Sequence, residues 1–236
     1  MRIDKRRKYM LVVDVETTNG FSNPLVYDIG FAVVDKMGRI YEKESFLVKE
    51  IFDNKNLMRT AYYIDKYPLY LDGIAKGEFE RKYFFEIREI IFSIMKQYNI
   101  NEVWAYNCNF DRNALNSTTK YLSEDLINDY FPPCEFHCIW NFACSTILQQ
   151  KTFFKNASEK EWVSEKGNVR TSAEISYRYI ASVNDFEEEH TGLQDVLIES
   201  AILAKCIAQH KKADTTLRND CWRKPQPKFR EYVGLL

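Results

Sequence analysis

The stretch Tyr9–Phe21, YMLVVDVETTNGF, constrains this chain more than any other. Its apolar run, Met10–Val13, suits a strand at the centre of a sheet. The run leads into two carboxylates one residue apart, Asp14 and Glu16. Side chains alternate along a strand, so both project from the same face. Neighbouring carboxylates resist joint ionisation. Such a pair calls for a cation, a shared proton or a basic partner, and the pattern suits a divalent metal.

A divalent ion needs further ligands, and the order of elements indicates where they come from. Met10–Val15, Tyr27–Asp35 and Arg39–Val48 read as three strands. The turn Lys36-Met37-Gly38 and the other short connections predict an antiparallel meander. Glu50–Gly77, with tyrosines at 62, 63, 67 and 70 plus Pro68 and Gly73, reads as short helical pieces and loops over one end of the sheet. Its tyrosines either pack with the hydroxyl at the surface or stack on bases. Glu78–Tyr98 is an amphipathic helix, with Phe84, Ile87, Ile91, Ile94, Met95 and Tyr98 at helical spacing. Glu102–Tyr106 reads as a buried strand, Arg112–Leu122 as a helix, Phe136–Ile139 as a strand and Trp140–Gln149 as a helix. Lys151–Arg170 is a polar surface insertion, with a hairpin as one form and Phe153, Phe154 and Trp162 turned inward. Ser172–Ala181 and Leu193–His210 are the last two helices before a tail carrying Pro225 and Pro227.

With 45% hydrophobic and 15% aromatic residues, the chain can bury a large core. No linker is clean enough to divide it. The expected architecture is one α/β domain over residues 1–210, with the insertion at about 151–170 and a C-terminal tail over 211–236. The expected sheet is mixed and five-stranded, three antiparallel strands first, with helices on its flanks.

Acids recur at the edges of apolar elements in two further places. Asp111 follows a predicted strand and opens a helix, and Asp195 lies in the first turn of the last long helix, five residues after His190. Taken singly, each has an ordinary explanation: Asp111 as a helix cap, Asp195 as a complement to the helix dipole, His190 as a loop histidine. Taken together, four carboxylates and one histidine make a hard oxygen-donor site, suited to Mg²⁺ or Mn²⁺ rather than zinc. Such a site fits two-metal phosphodiester hydrolysis with ions roughly 4 Å apart. A histidine titrating near neutral pH can take the proton of the attacking water. The 33 basic and 34 acidic residues nearly balance, which excludes a polybasic protein but not a nucleic-acid enzyme whose metals offset its carboxylates locally.

DVET at Asp14–Thr17, N-x-x-F-D at Asn107–Asp111 and H-x-x-x-x-D at His190–Asp195 resemble the three motifs of the DnaQ-like, DEDDh-type 3′–5′ exonucleases, which have the ribonuclease H-like fold. The resemblance spans roughly Tyr9 to His210, with all three motifs complete and in order. It implies that Asp14 bridges two divalent ions, that Glu16 and Asp195 complete the ligands of the catalytic ion, and that Asp111 holds the second. It implies His190 as general base, with Thr17, Thr18 and Asn107 beside the terminal nucleotide. The family often places Gly directly after the ET-T stretch, then an apolar wedge. Here Asn19 intervenes before Gly20, and Phe21 stands as the wedge or as a loop aromatic tucked into the core.

The substrate implied is the 3′ end of single-stranded DNA or RNA. Two narrower roles remain: a proofreading subunit that meets a polymerase, or another replication or repair partner, through the tail; or an enzyme that degrades short RNA. A nucleic-acid-binding protein that kept the fold and lost the chemistry is a third. The six cysteines include no CxxC pair. Cys134-x-x-His137-Cys138 with Cys144 fits no closed zinc site well, so buried reduced thiols are expected. The basic start MRIDKRRKYM precedes no secretory apolar segment, and no run is long enough to span a membrane, so the expected location is the cytoplasm.

Overall fold

The structure, a computed structural model, describes residues 3–4, 6–20, 22–123 and 129–235. Phe21 therefore lies outside the described residues.

Six strands form one mixed sheet in the order β4-β3-β2-β1-β5-β6. β1 (Tyr9–Thr18), β2 (Leu25–Asp35) and β3 (Ile40–Val48) are the expected antiparallel meander. β5 (Glu102–Ala105) and β6 (Glu135–Cys138) run parallel to β1 on its other side. The sixth strand, β4 (Glu80–Lys82), pairs in parallel with β3 at the edge. The sequence gives no sign of it. Three charged residues at the rim carry no apolar alternation, and they precede the amphipathic helix α4 (Phe84–Tyr98), which starts later than its pattern suggested.

Small helices α1 (Lys49–Phe52), α2 (Lys55–Met58) and α3 (Tyr67–Lys76) fill the tyrosine-rich segment. They, α4 and α5 (Cys108–Leu122) cover one face of the sheet, where Leu11, Val13 and Val15 of β1 meet Ile51, Tyr70, Ile87, Ile91 and Leu115. The opposite face carries α6 (Ile139–Ser145), α7 (Lys151–Glu159), α8 (Ala173–Ala181) and α9 (Gly192–Ile207). Here Met10 and Val12 pack with Phe142, Phe153, Val196 and Ile202. Asp14 and Glu16 share the parity of Met10 and Val12, so β1 carries its acids onto the face of α9.

The insertion begins as helix α7, followed by a single antiparallel bridge, Val163 to Val169. Phe153, Phe154 and Trp162 are buried as the sequence suggested. Past residue 211 the chain packs back: Cys221 and Phe229, the latter on α10 (Gln226–Tyr232), are buried in the same core as α6. All six cysteines are free, five buried and Cys134 half-buried, and no cysteine joins a metal-ligand cluster among the described residues. Among those residues no helix is long and apolar enough to cross a membrane.

Two glycines fix where α9 sits. A Cβ on Gly30 of β2 would fall 2.0 Å from the backbone of Gly192, so only glycine allows the helix start to lie on the strand. Asp28, fully buried one pleat away, accepts bonds from Gly192 N–H (3.0 Å), Ser45 Oγ (2.7 Å) and Tyr70 hydroxyl (2.8 Å). Burial still holds its carboxyl above the usual range. Its negative end-charge suits the helix N-terminus it caps from outside.

Candidate active site

β1 and the parallel β5 both deliver their carboxyl ends to one concavity of about 520 Å³. This is where open α/β sheets place their ligands. β1 contributes Asp14 and Glu16, and the register slips immediately after Glu16, where the chain leaves regular pairing with β2. β5 leads into Asn107, whose left-handed backbone (φ +68°) turns the chain into α5 and puts Asp111 in that helix's first turn. α9, pinned by Gly30 and Asp28, brings Asp195 in its own first turn.

The structure thus gathers Asp14, Glu16, Asp111, Asp195 and His190 around one cavity, with Thr17 and Asn107 beside them. Glu16, His190 and Asp195 offer ligand atoms within 4.8 Å of one another. Thr18 faces elsewhere: it is fully buried and its hydroxyl donates to the Leu25 carbonyl at 3.4 Å.

Asp14 Oδ2, Asp111 Oδ2 and Asp195 Oδ1 are buried and have no hydrogen-bond partner. Buried polar atoms are rarely left unpaired, and unpaired carboxylate oxygens are costly. Burial, then the neighbouring Glu199, pushes Asp14 well above the usual carboxylate range. Burial and then Asp195 do the same to Glu16, burial raises Asp111, and burial with Glu188 lifts Asp195 to about 8. No lysine or arginine lines the cavity among the described residues. A cluster so short of positive charge fits divalent cations, and its donors are hard oxygens.

Two acids escaped the sequence reading, and Tyr63, a candidate for stacking on bases, meets His190 instead. Glu199, one turn after Asp195 on α9, is buried, lines the cavity and accepts the Tyr106 N–H at 3.0 Å. The i, i+4 spacing from Asp195 was the available signal. Glu188, half-buried on the loop before His190, is raised to about 7 by burial and Glu174. Tyr63 stacks flat on His190, with ring centroids 4.0 Å apart and planes 10° from parallel. His190 holds a left-handed backbone (φ +54°), and its Nδ1 stands 4.0 Å from Asp195 Oδ2. Burial, then the charge of Lys66, lowers its pKa below the usual histidine value. Tyr106 and Trp140 also line the cavity, anchored by Tyr106 hydroxyl to the Thr171 carbonyl (2.6 Å) and Trp140 Nε1 to Thr171 Oγ1 (2.9 Å).

No protein-family model matches the chain, and no curated protein does. Solved structures do. E. coli exonuclease I in complex with a dA16 oligonucleotide superposes with a TM-score of 0.54 at 12% identity, over 97% of this chain and 43% of its own. A zinc-bound form of its complex with single-stranded DNA gives 0.53 at 13%, over 87% and 41%. The complex of exonuclease I with SSB-Ct gives 0.53 at 12%, over 97% and 43%. The chain spans about two fifths of the length of these structures. At this identity the likeness speaks for the fold, and this chain has the ribonuclease H-like fold of E. coli exonuclease I.

Proposed function

We propose that this chain is a metal-dependent 3′–5′ exonuclease acting on single-stranded nucleic acid. The observation that carries the reading is the set of buried, unpartnered oxygens of Asp14, Asp111 and Asp195 in one cavity. The shared fold with an exonuclease bound to an oligonucleotide agrees with it.

Asp14, Glu16, Asp111 and Asp195 would hold two divalent ions, Mg²⁺ or Mn²⁺. Bound there, such ions would supply a lowered pKa for the attacking water and stabilisation of the leaving alkoxide. His190 takes the proton from the attacking water, and its neutral form, favoured by burial, has a lone pair for it. Tyr63 stacks on the imidazole and holds it inside the cavity. Thr17 and Asn107 line the place of the terminal nucleotide, and the Tyr106–Trp140 wall gives a base an aromatic surface. The acidic cavity, lined by the ends of β1 and α9, would take a single terminal nucleotide, which an unstacked end supplies more readily than a duplex.

Exonuclease and endonuclease chemistry separate on blocked substrates. A 5′-labelled single strand should shorten stepwise, and the same strand with a bulky 3′ block should resist. Internal cuts in the blocked strand would overturn the directional reading.

A further inference from the structure

Beyond the cavity, the folded C-terminal segment forms a second concavity of about 360 Å³, lined by Asn168, Trp222, Arg223, Gln226, Pro227 and Arg230. Its chemistry differs from that of the first. Trp222 is 37% exposed, and the Arg223 guanidinium lies 5.4 Å from the centre of its ring. Arg223 and Arg230 are both exposed, and neither is held by a carboxylate within 4 Å among the described residues. Residues 211–236 carry seven lysines and arginines against three acids, whereas the rest of the chain carries 26 against 31. The near-neutral total hides a basic end on an acidic body.

Two connections tie this groove to the rim of the active-site cavity. Asn168 of the groove stands three residues before Thr171, which lines the cavity, a reach of about 11 Å at most for an extended chain. Arg230 donates to Asn168 Oδ1 at 3.1 Å and so is fixed to that same stretch. On the other side, Asn109 Nδ2 donates to Asn219 Oδ1 at 2.9 Å. Asn109 sits between the cavity residues Asn107 and Asp111, and Asn219 stands three residues before Trp222.

We propose that the groove at Trp222, Arg223 and Arg230 binds the part of a single-stranded nucleic acid that trails the 3′ end held in the cavity. The inference rests on the exonuclease reading and extends it from one terminal nucleotide to a longer footprint. Guanidinium groups meet the phosphates, and the Trp222–Arg223 pair offers flat surfaces on which a base stacks whatever its sequence. The acidic cavity repels a polyanion until its ions are in place, so a basic groove a short way along the strand supplies the attraction that the cavity lacks.

The test is binding as a function of strand length. The 236-residue chain with Mn²⁺ is titrated with phosphorothioate single strands, which resist hydrolysis, from a dinucleotide up to about 16 nucleotides, the upper end of single-strand site sizes. In wild-type protein the longest strand binds better than the dinucleotide. Arg223→Gln with Arg230→Gln should shrink that advantage about ten-fold and reduce the slope of log affinity against log salt by about 1.4, the loss of two phosphate contacts. Trp222→Ala should also shrink it, Trp222→Phe should restore it, and Lys43→Gln on the exposed face of β3 should leave it unchanged. An unchanged advantage in the double variant, or an equal loss at every length, would overturn the groove while leaving the exonuclease reading standing. Tighter binding of a polyglutamate peptide than of the strand would make the groove a protein-docking surface and overturn it too. If no strand of any length binds, the exonuclease reading falls with it.

Discussion

Asp14, a proposed metal ligand, sits where its charge opposes stability. Its carboxyl is buried near Glu16, Asp111, Asp195 and Glu199, all of the same sign, and one oxygen has no partner. Asp14→Asn keeps the shape and removes one charge from this cluster. Without metal, the variant should melt about 2–4 °C higher than wild type, as a gain of about 1 kcal/mol implies for a chain of this size. With Mn²⁺ the order should reverse, because only wild type gains from binding. Melting curves in EDTA and in Mn²⁺ decide this, and a lower melting point for Asp14→Asn in EDTA would count against the charge argument. Tyr63 tests a different dependence. Tyr63→Ala removes the ring stacked on His190 and should lower kcat about ten-fold with little change in KM, as expected if His190 is the proposed general base and is misplaced. Tyr63→Phe keeps the stack and should keep the rate. Equal losses in both would mean that the hydroxyl, not the ring, matters.

At the scale of elements, the placement of α9 on β2 decides whether Asp195 and His190 reach β1. Gly30→Ala would drive a methyl group into the Gly192 backbone, which has no side chain to move aside. A loss of about 3 kcal/mol is expected, read from the denaturant midpoint. A variant as stable as wild type would show that α9 is not pinned there. The start of the chain is fastened by Asp35 at the end of β2. Burial alone would raise this carboxyl. The N–H groups of Met37 (2.9 Å) and Arg39 (3.1 Å), the Tyr41 hydroxyl (2.9 Å) and the Arg7 guanidinium outweigh it and hold the pKa below the usual range. A depressed folded pKa contributes stability above the unfolded value, near 3.9, and the contribution fades as pH falls through the folded value. Asp35→Asn should therefore be less stable than wild type at pH 7, and the gap should close below about pH 4. A gap independent of pH would assign the effect to packing.

Over the whole molecule, the two kinds of information had different reach. Strand alternation placed Asp14 and Glu16 on one face, and helical periodicity found α4 and α9, because these patterns are local. β4 was hidden because three charged edge residues repeat nothing. The polar residues of the insertion, Asn156 and Ser158 among them, suit a turn and favour the hairpin form. The burial of Phe153, Phe154 and Ala157 at helical spacing outweighs them. Asp28 is a polar residue in a largely apolar strand whose role shows only in the fold, since its partners Ser45, Tyr70 and Gly192 lie 17, 42 and 164 residues away. The stack of Tyr63 on His190 and the bond of Glu199 to the Tyr106 amide are contacts between distant residues, so the tyrosine-rich segment and the i, i+4 spacing from Asp195 pointed to them only in outline.

The central claim is that the carboxylate cavity becomes a phosphodiester-cleaving centre when divalent ions enter it. The direct measurement is a time course on a 5′-labelled single strand, with Mg²⁺, Mn²⁺ or EDTA, for wild type and Asp14→Asn. A descending ladder is expected with wild type and either metal, and an intact strand in EDTA or with Asp14→Asn. A ladder that persists in EDTA, or that Asp14→Asn produces at the wild-type rate, would contradict it.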